Sequence, residues 1–139
     1  MQLGFFAAGR FARRLAPIGL EPRQFGLLRA IAAAGGQSQQ ALAAAVGIHP
    51  SKIVALVDDL EQAGFVDRTR SSDDRRTNAV SLTPAGRDAL ARAKAVSEEH
   101  ADDVLAPLDA AERAELTRLL NRLADAHDLG RFTMPRPAR

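Results

Sequence analysis

The chain has no cysteine, tryptophan or tyrosine, and only six phenylalanines. The absence of cysteine excludes disulfides, cysteine-ligated metal sites and thiol-based redox sensing. With aromatic residues at 4% and alanine and leucine abundant, the composition favours a helical build. No apolar run approaches the roughly 18 residues that a membrane helix needs, so no membrane partner is expected. In the opening stretch MQLGFFAAGRFARRL, Arg10, Arg13 and Arg14 follow the apolar residues, the reverse of a secretory signal. That stretch reads as a helix of the mature protein, and a cytoplasmic location is the expectation. At 139 residues, a single domain with a real core is the default.

Net charge is also small. The net charge is +2 and the pI about 9.9, which only hints at a polyanionic partner. Between Ser38 and Thr83, Lys52, Arg68, Arg70, Arg75 and Arg76 stand against Asp58, Asp59, Glu61, Asp67, Asp73 and Asp74. That segment is slightly acidic in total, so the position of its bases has to carry any argument for DNA. The bases fall at the start of one helix and along a hairpin.

Taken in order, Leu3, Phe5, Phe6, Phe11 and Leu15 are spaced for an amphipathic helix. A turn follows at Pro17 to Leu20. Pro22 then opens a helix whose buried face holds Phe25, Leu27, Leu28 and Ile31, and Gly35-Gly36 ends it. Ser38 caps a third helix, with Leu42, Ala45 and Val46 expected inside. Gly47 permits a sharp turn. Pro50 opens a fourth helix, with Ile53, Leu56, Val57 and Leu60 as its buried stripe and His49 near its cap. Gly64 stops that helix. Residues 65–70 and 79–82 read as a strand pair around a polar tip. Thr83-Pro84 starts a long helix to about Ala106, which Pro107 breaks. Asp109 to Glu112 has capping-box form, and Gly130 ends the last helix before a tail. Helix, turn, helix and hairpin wing in that order describe a DNA-reading module.

Other chemistries find no support. His100 and His127, even with Asp103 three residues after His100, supply too few ligands for a metal. No nucleophile elbow or paired base is present, so no catalytic residue and no cofactor is expected.

Over roughly the whole chain, most strongly from residue 20 to 90, the sequence resembles the MarR family of transcriptional regulators. The likeness rests on EPRQFGLLRAIAA, on SQQALAAAVGIHPSKIVALVDDLEQAGFVDR and, most specifically, on DDRRTNAVSLTPAG. The resemblance implies a mainly α fold with a small antiparallel β wing. Residues 20–90 would form the winged helix-turn-helix lobe, 1–19 and 91–130 dimerisation helices, and 131–139 a tail. It also implies a homodimer that binds a palindromic double-stranded DNA site as a repressor, under control of a small-molecule effector. Gln37 departs from the apolar residue or proline usual in the family, so the resemblance does not carry over the small first strand there. Ala55 stands where many relatives carry arginine, so one DNA contact is missing.

Residue by residue, Ser51 and Lys52 are the expected base readers in the major groove, with His49 and Pro50 at the rim. Ser38, Gln39 and Gln40 open the preceding helix, where free backbone N–H groups favour a phosphate. The family pattern places a wing arginine in the minor groove. Arg76 is the first choice, with Arg75 beside it and Asp74 orienting. Arg68 and Arg70, two apart on one strand face, are expected to reach backbone phosphate. Phe5, Phe6, Phe11 and Phe25 either line a ligand pocket between helices or form dimer core. The rival reading is a winged-helix protein-interaction module without specific DNA binding.

Overall fold

The computed structural model describes residues 1–34, 37–70 and 78–127. Helix α1 (Gln2–Leu15) runs through a single 3-10 turn (Ala16–Ile18) towards α2 (Pro22–Ala34). Strand β1 (Gln37–Ser38) leads into α3 (Gln39–Val46) and α4 (Pro50–Gln62). Strands β2 (Val66–Arg70) and β3 (Asn78–Leu82) form the wing, followed by α5 (Pro84–Val104) and α6 (Ala110–Ala126). The mainly helical architecture with a β wing matches the sequence reading. The glycines expected to end α2 and α6 (Gly35, Gly36 and Gly130) lie outside the described residues.

The sheet corrects one expectation. It has three antiparallel strands in the order β1-β3-β2, with Gln37 opposite Val80 and Ser38 opposite Ala79. A two-residue strand needs only backbone donors and acceptors, so Gln37 is tolerated where an apolar residue was anticipated. Ser38 then serves twice. Its backbone ends the strand, and its side chain accepts from the Ala41 N–H at 3.3 Å to cap α3.

The core lies between α2, α3, α4, the sheet and the first half of α5. Leu27, Leu28, Leu42, Val57, Leu60, Val66 and Val80 are fully enclosed there. Each such side chain contributes about 1.5–3 kcal/mol by leaving water. On α3 the buried partner of Leu42 is Ala43, while Ala45 faces solvent. The inward face of this helix is Leu42, Ala43 and Val46, with Ala43 in the place expected of Ala45. On α5, Gly86, Ala89 and Ala93 keep the buried face small. A Cβ at Gly86 would overlap the carbonyl of Phe65, so glycine is required for α5 to approach the wing. Thr83 closes the same junction. Its N–H donates to Phe65 O (3.1 Å), its hydroxyl donates to Gly64 O (2.6 Å), and its Oγ1 accepts from the Gly86 N–H (2.9 Å).

The terminal helices are less covered. Asp109 and Glu112 form a reciprocal capping box, with both bonds at 2.9 Å, and Arg113 ties α6 to Asp102 of α5 at 2.9 Å. Leu3, Phe5 and Phe6 on α1 and Leu119 and Leu123 on α6 stay exposed. Among the described residues no single helix is long and apolar enough to cross a membrane.

Candidate nucleic-acid interface

Helices α3 and α4 meet at a bend of 106°, the geometry of a helix-turn-helix. Gly47 makes the corner possible with φ of +66°, and the Ile48 N–H closes it by donating to Ala43 O at 3.0 Å. The α4 N-terminus is then built by three residues. Pro50 occupies the first turn, where its missing N–H costs nothing. His49 caps through its ring: Nδ1 accepts from the Ser51 N–H at 3.3 Å and lies 2.8 Å from Ser51 Oγ. Both contacts are satisfied when the imidazole proton sits on Nε2.

Burial of Ile53, Val57 and Leu60 fixes which side of α4 is free. Ser51, Lys52, Val54 and Ala55 face solvent on that side. The structure therefore brings His49, Pro50, Ser51 and Lys52 together at one exposed helix end. Ser38 and Gln39 are half-buried and Gln40 is exposed at the start of α3.

Arg68 is not where the strand reading put it. Its guanidinium reaches back onto α4, where NH2 bonds Asp58 and NH1 bonds Glu61. The cause is strand alternation: Val66 is fully buried, and Arg68, two residues on, shares its inward side. Burial opposes the charge of Arg68, but the two carboxylates outweigh it and hold its proton more tightly than usual. A phosphate contact from this side chain would require giving up both partners. Arg70 pairs in the ladder with Asn78. Its side chain, together with Asp74, Arg75 and Arg76, lies outside the described residues.

The four candidate phenylalanines separate into two sets. Phe11 meets Phe25 edge-on with ring centroids 5.8 Å apart, at the junction of α1, α2 and α5. Phe11 also stacks on His100, 5.3 Å away. Phe5 and Phe6 are exposed, with the Arg10 guanidinium 5.5 Å above the Phe6 ring. The fold therefore does not unite these rings in a pocket. An open groove of about 560 Å³ between α1 and α2, lined by Ala12, Arg13, Leu20, Glu21 and Gln24, contains none of them. Asp103 is held by Arg14 and, at 3.5 Å, by Arg10. Among the described residues no group of three histidine, aspartate or glutamate side chains converges to hold a metal.

Sequence reasoning missed the Arg68 bridge, the His100 stack and the exposure of Val54. Alternation from Val66 signalled the first. The helical spacing of Ile53, Val57 and Leu60 signalled the third, since it leaves Val54 outside. The second depends on how α5 crosses α1, for which the sequence carries no local signal.

Comparison with known proteins agrees with this geometry. The model of the MarR family matches residues 18–77. A putative transcriptional regulatory protein for the hcr operon of Thauera aromatica is 40% identical over 125 residues, covering 88% of this chain and 75% of that protein. An HTH-type transcriptional repressor of Mycobacterium tuberculosis is 34% identical over 109 residues, covering 78% of each chain. The solved repressor CouR bound to a 23-mer DNA duplex superposes with a TM-score of 0.82 at 35% identity, covering 88% of this chain and 87% of that one. CouR from Rhodococcus jostii RHA1 bound to p-coumaroyl-CoA superposes with a TM-score of 0.75 at 31% identity and the same coverage. With a winged helix-turn-helix in place and relatives of this identity aligned over most of their length, the chain belongs to the MarR family of transcriptional regulators.

Proposed function

We propose that the protein is a homodimeric repressor that binds a palindromic operator and releases it when a small molecule binds. The observation that carries this reading is the N-terminal face of α4, where Ser51 and Lys52 are exposed and, among the described residues, no other element covers them. Laid in the major groove, that end offers a hydroxyl and an ammonium to base edges, with His49 and Pro50 at its margin. Ser38, Gln39 and Gln40 present the α3 N-terminus to a phosphate. Arg76, with Arg75 and Asp74, enters the minor groove from the wing. Arg68 has a different part: it braces the wing against α4.

Dimerisation is supported by the uncovered apolar residues of the terminal helices, Leu3, Phe5 and Phe6 on α1 and Leu119 and Leu123 on α6. Two lobes held about 34 Å apart would meet half-sites one helical turn apart. The effector reading draws on CouR, solved both with DNA and with p-coumaroyl-CoA. On this reading the effector enters between the terminal helices and the lobe and moves α1 against α2.

The test is a gel shift of the purified chain on duplexes flanking its own gene, across salt and with aromatic acids and their thioesters added. A salt-steep, sequence-selective shift reversed by one such compound is expected. No selective shift on any duplex would leave the protein-interaction reading in its place.

A further inference from the structure

Val54 is 45% exposed on the free side of α4, and Ala55 beside it is exposed as well. Ser51, Val54, Ala55 and Asp58 follow the spacing of one helix face. Asp58 does not present a free charge there, because its carboxylate is bonded to Arg68. The middle of the face is therefore apolar, bordered by Ser51 and Lys52.

Neither packing nor helix propensity accounts for valine at this place. It lies outside the core, and a β-branched residue is a poorer helix former than the alanine next to it. Nor does it belong to the other uncovered apolar surface, which sits on α1 and α6, whereas α4 packs on α3 and β2. On the DNA-binding reading above, one partner group matches it. The 5-methyl of thymine is the apolar feature on the major-groove edge of a base pair.

We propose that Val54, with Ala55 beside it, is a specificity-determining contact that reads thymine methyl groups in each half-site. Ala55 brings no long polar side chain, so the helix can sit close enough for Val54 to cover the methyl. Lys52, two residues nearer the N-terminus and on the other flank of the exposed face, reaches an adjacent purine acceptor. The half-site then carries thymine beside a purine, and cytosine in place of that thymine is disfavoured because it offers an amino group and no methyl.

The experiment selects duplexes from a random library with the purified full-length chain. The selected site is then resynthesised with single thymines replaced by deoxyuridine, which removes the methyl and preserves every hydrogen-bonding group. One or two positions in each half-site should lose about three- to fivefold in affinity, the effect of one buried methyl. In Val54→Ala, whose helix is favoured by alanine, the same replacements should cost less than about twofold. Equal binding of thymine and uracil duplexes throughout the site would overturn the assignment, as would a uracil penalty that persists in Val54→Ala. A selection that enriches no sequence would overturn the DNA-binding reading itself and this contact with it.

Discussion

The His100 imidazole lies nearly parallel to the Phe11 ring, with 5.3 Å between centroids and 23° between planes. Burial, then the charges of Arg14 and Arg10, push the histidine below its ordinary value, and Asp103 opposes them weakly. The fold therefore prefers the neutral ring, while the unfolded chain takes up the proton first. This share of stability is whole above the ordinary histidine value of about 6.5 and is lost as pH falls from there through the folded value. The urea midpoint should fall as the pH is lowered below about 6.5, and His100→Leu should flatten that slope. Asp103, held down mainly by its hydrogen bond from Arg14, acts in a separate, more acidic window. Identical slopes in both proteins would contradict this account.

Removing Arg68 leaves Asp58 and Glu61 without their shared partner on the recognition helix. Arg68→Met should lower stability by about 1 kcal/mol, because both carboxylates are substantially exposed and water screens them. The larger effect should be on DNA, since the lobe then carries one cation fewer and two uncompensated carboxylates. Affinity should drop at least about tenfold at low salt, and the loss should shrink as salt rises. A loss independent of salt would point to a displaced wing.

Gly86→Ala tests the approach of α5 to Phe65. Its Cβ would collide with backbone, which cannot rotate away. A cost of about 1–3 kcal/mol in denaturant unfolding is expected, in spite of the better helix propensity of alanine. An unchanged or raised midpoint would mean that the junction is looser than it stands here.

Lys52→Ala and Arg76→Ala address the two proposed grooves separately. Each should weaken binding about tenfold or more. If Lys52 touches a phosphate, its removal should lower the salt slope by about one unit; if it reads guanine, the loss should concentrate at one base pair. Both variants should keep the oligomeric state of the parent.

Leu123→Asp places a charge on the uncovered face of α6. Sedimentation should show a shift from dimer to monomer at micromolar concentration with helix content retained. A dimer unaffected by this change would move the interface elsewhere.

The sequence made the helices legible because their apolar residues recur at the helical period and their ends carry chemical marks. Ser38, Thr83 and Asp109 each cap as expected. The helix-turn-helix was legible for the same reason, through Gly47 and Pro50. Strand β1 was obscured because two residues of backbone pairing leave almost no side-chain trace. Arg68 was misjudged because its period was read relative to Arg70 and not to Val66. The pairing of Phe11 with Phe25 and His100, apart from Phe5 and Phe6, depends on how helices cross, and residue spacing along one helix says nothing about that.

Strand β1 is short, but it pins the root of α3 to the same strand that carries the wing, and Thr83 fastens the far side of that wing to Gly64 and Phe65. The lobe is thus stitched at both margins and should swing as a single lever arm. A slight tilt where it meets the terminal helices would carry the α4 tip and the hairpin in step, so that disengagement from one groove entails disengagement from the other.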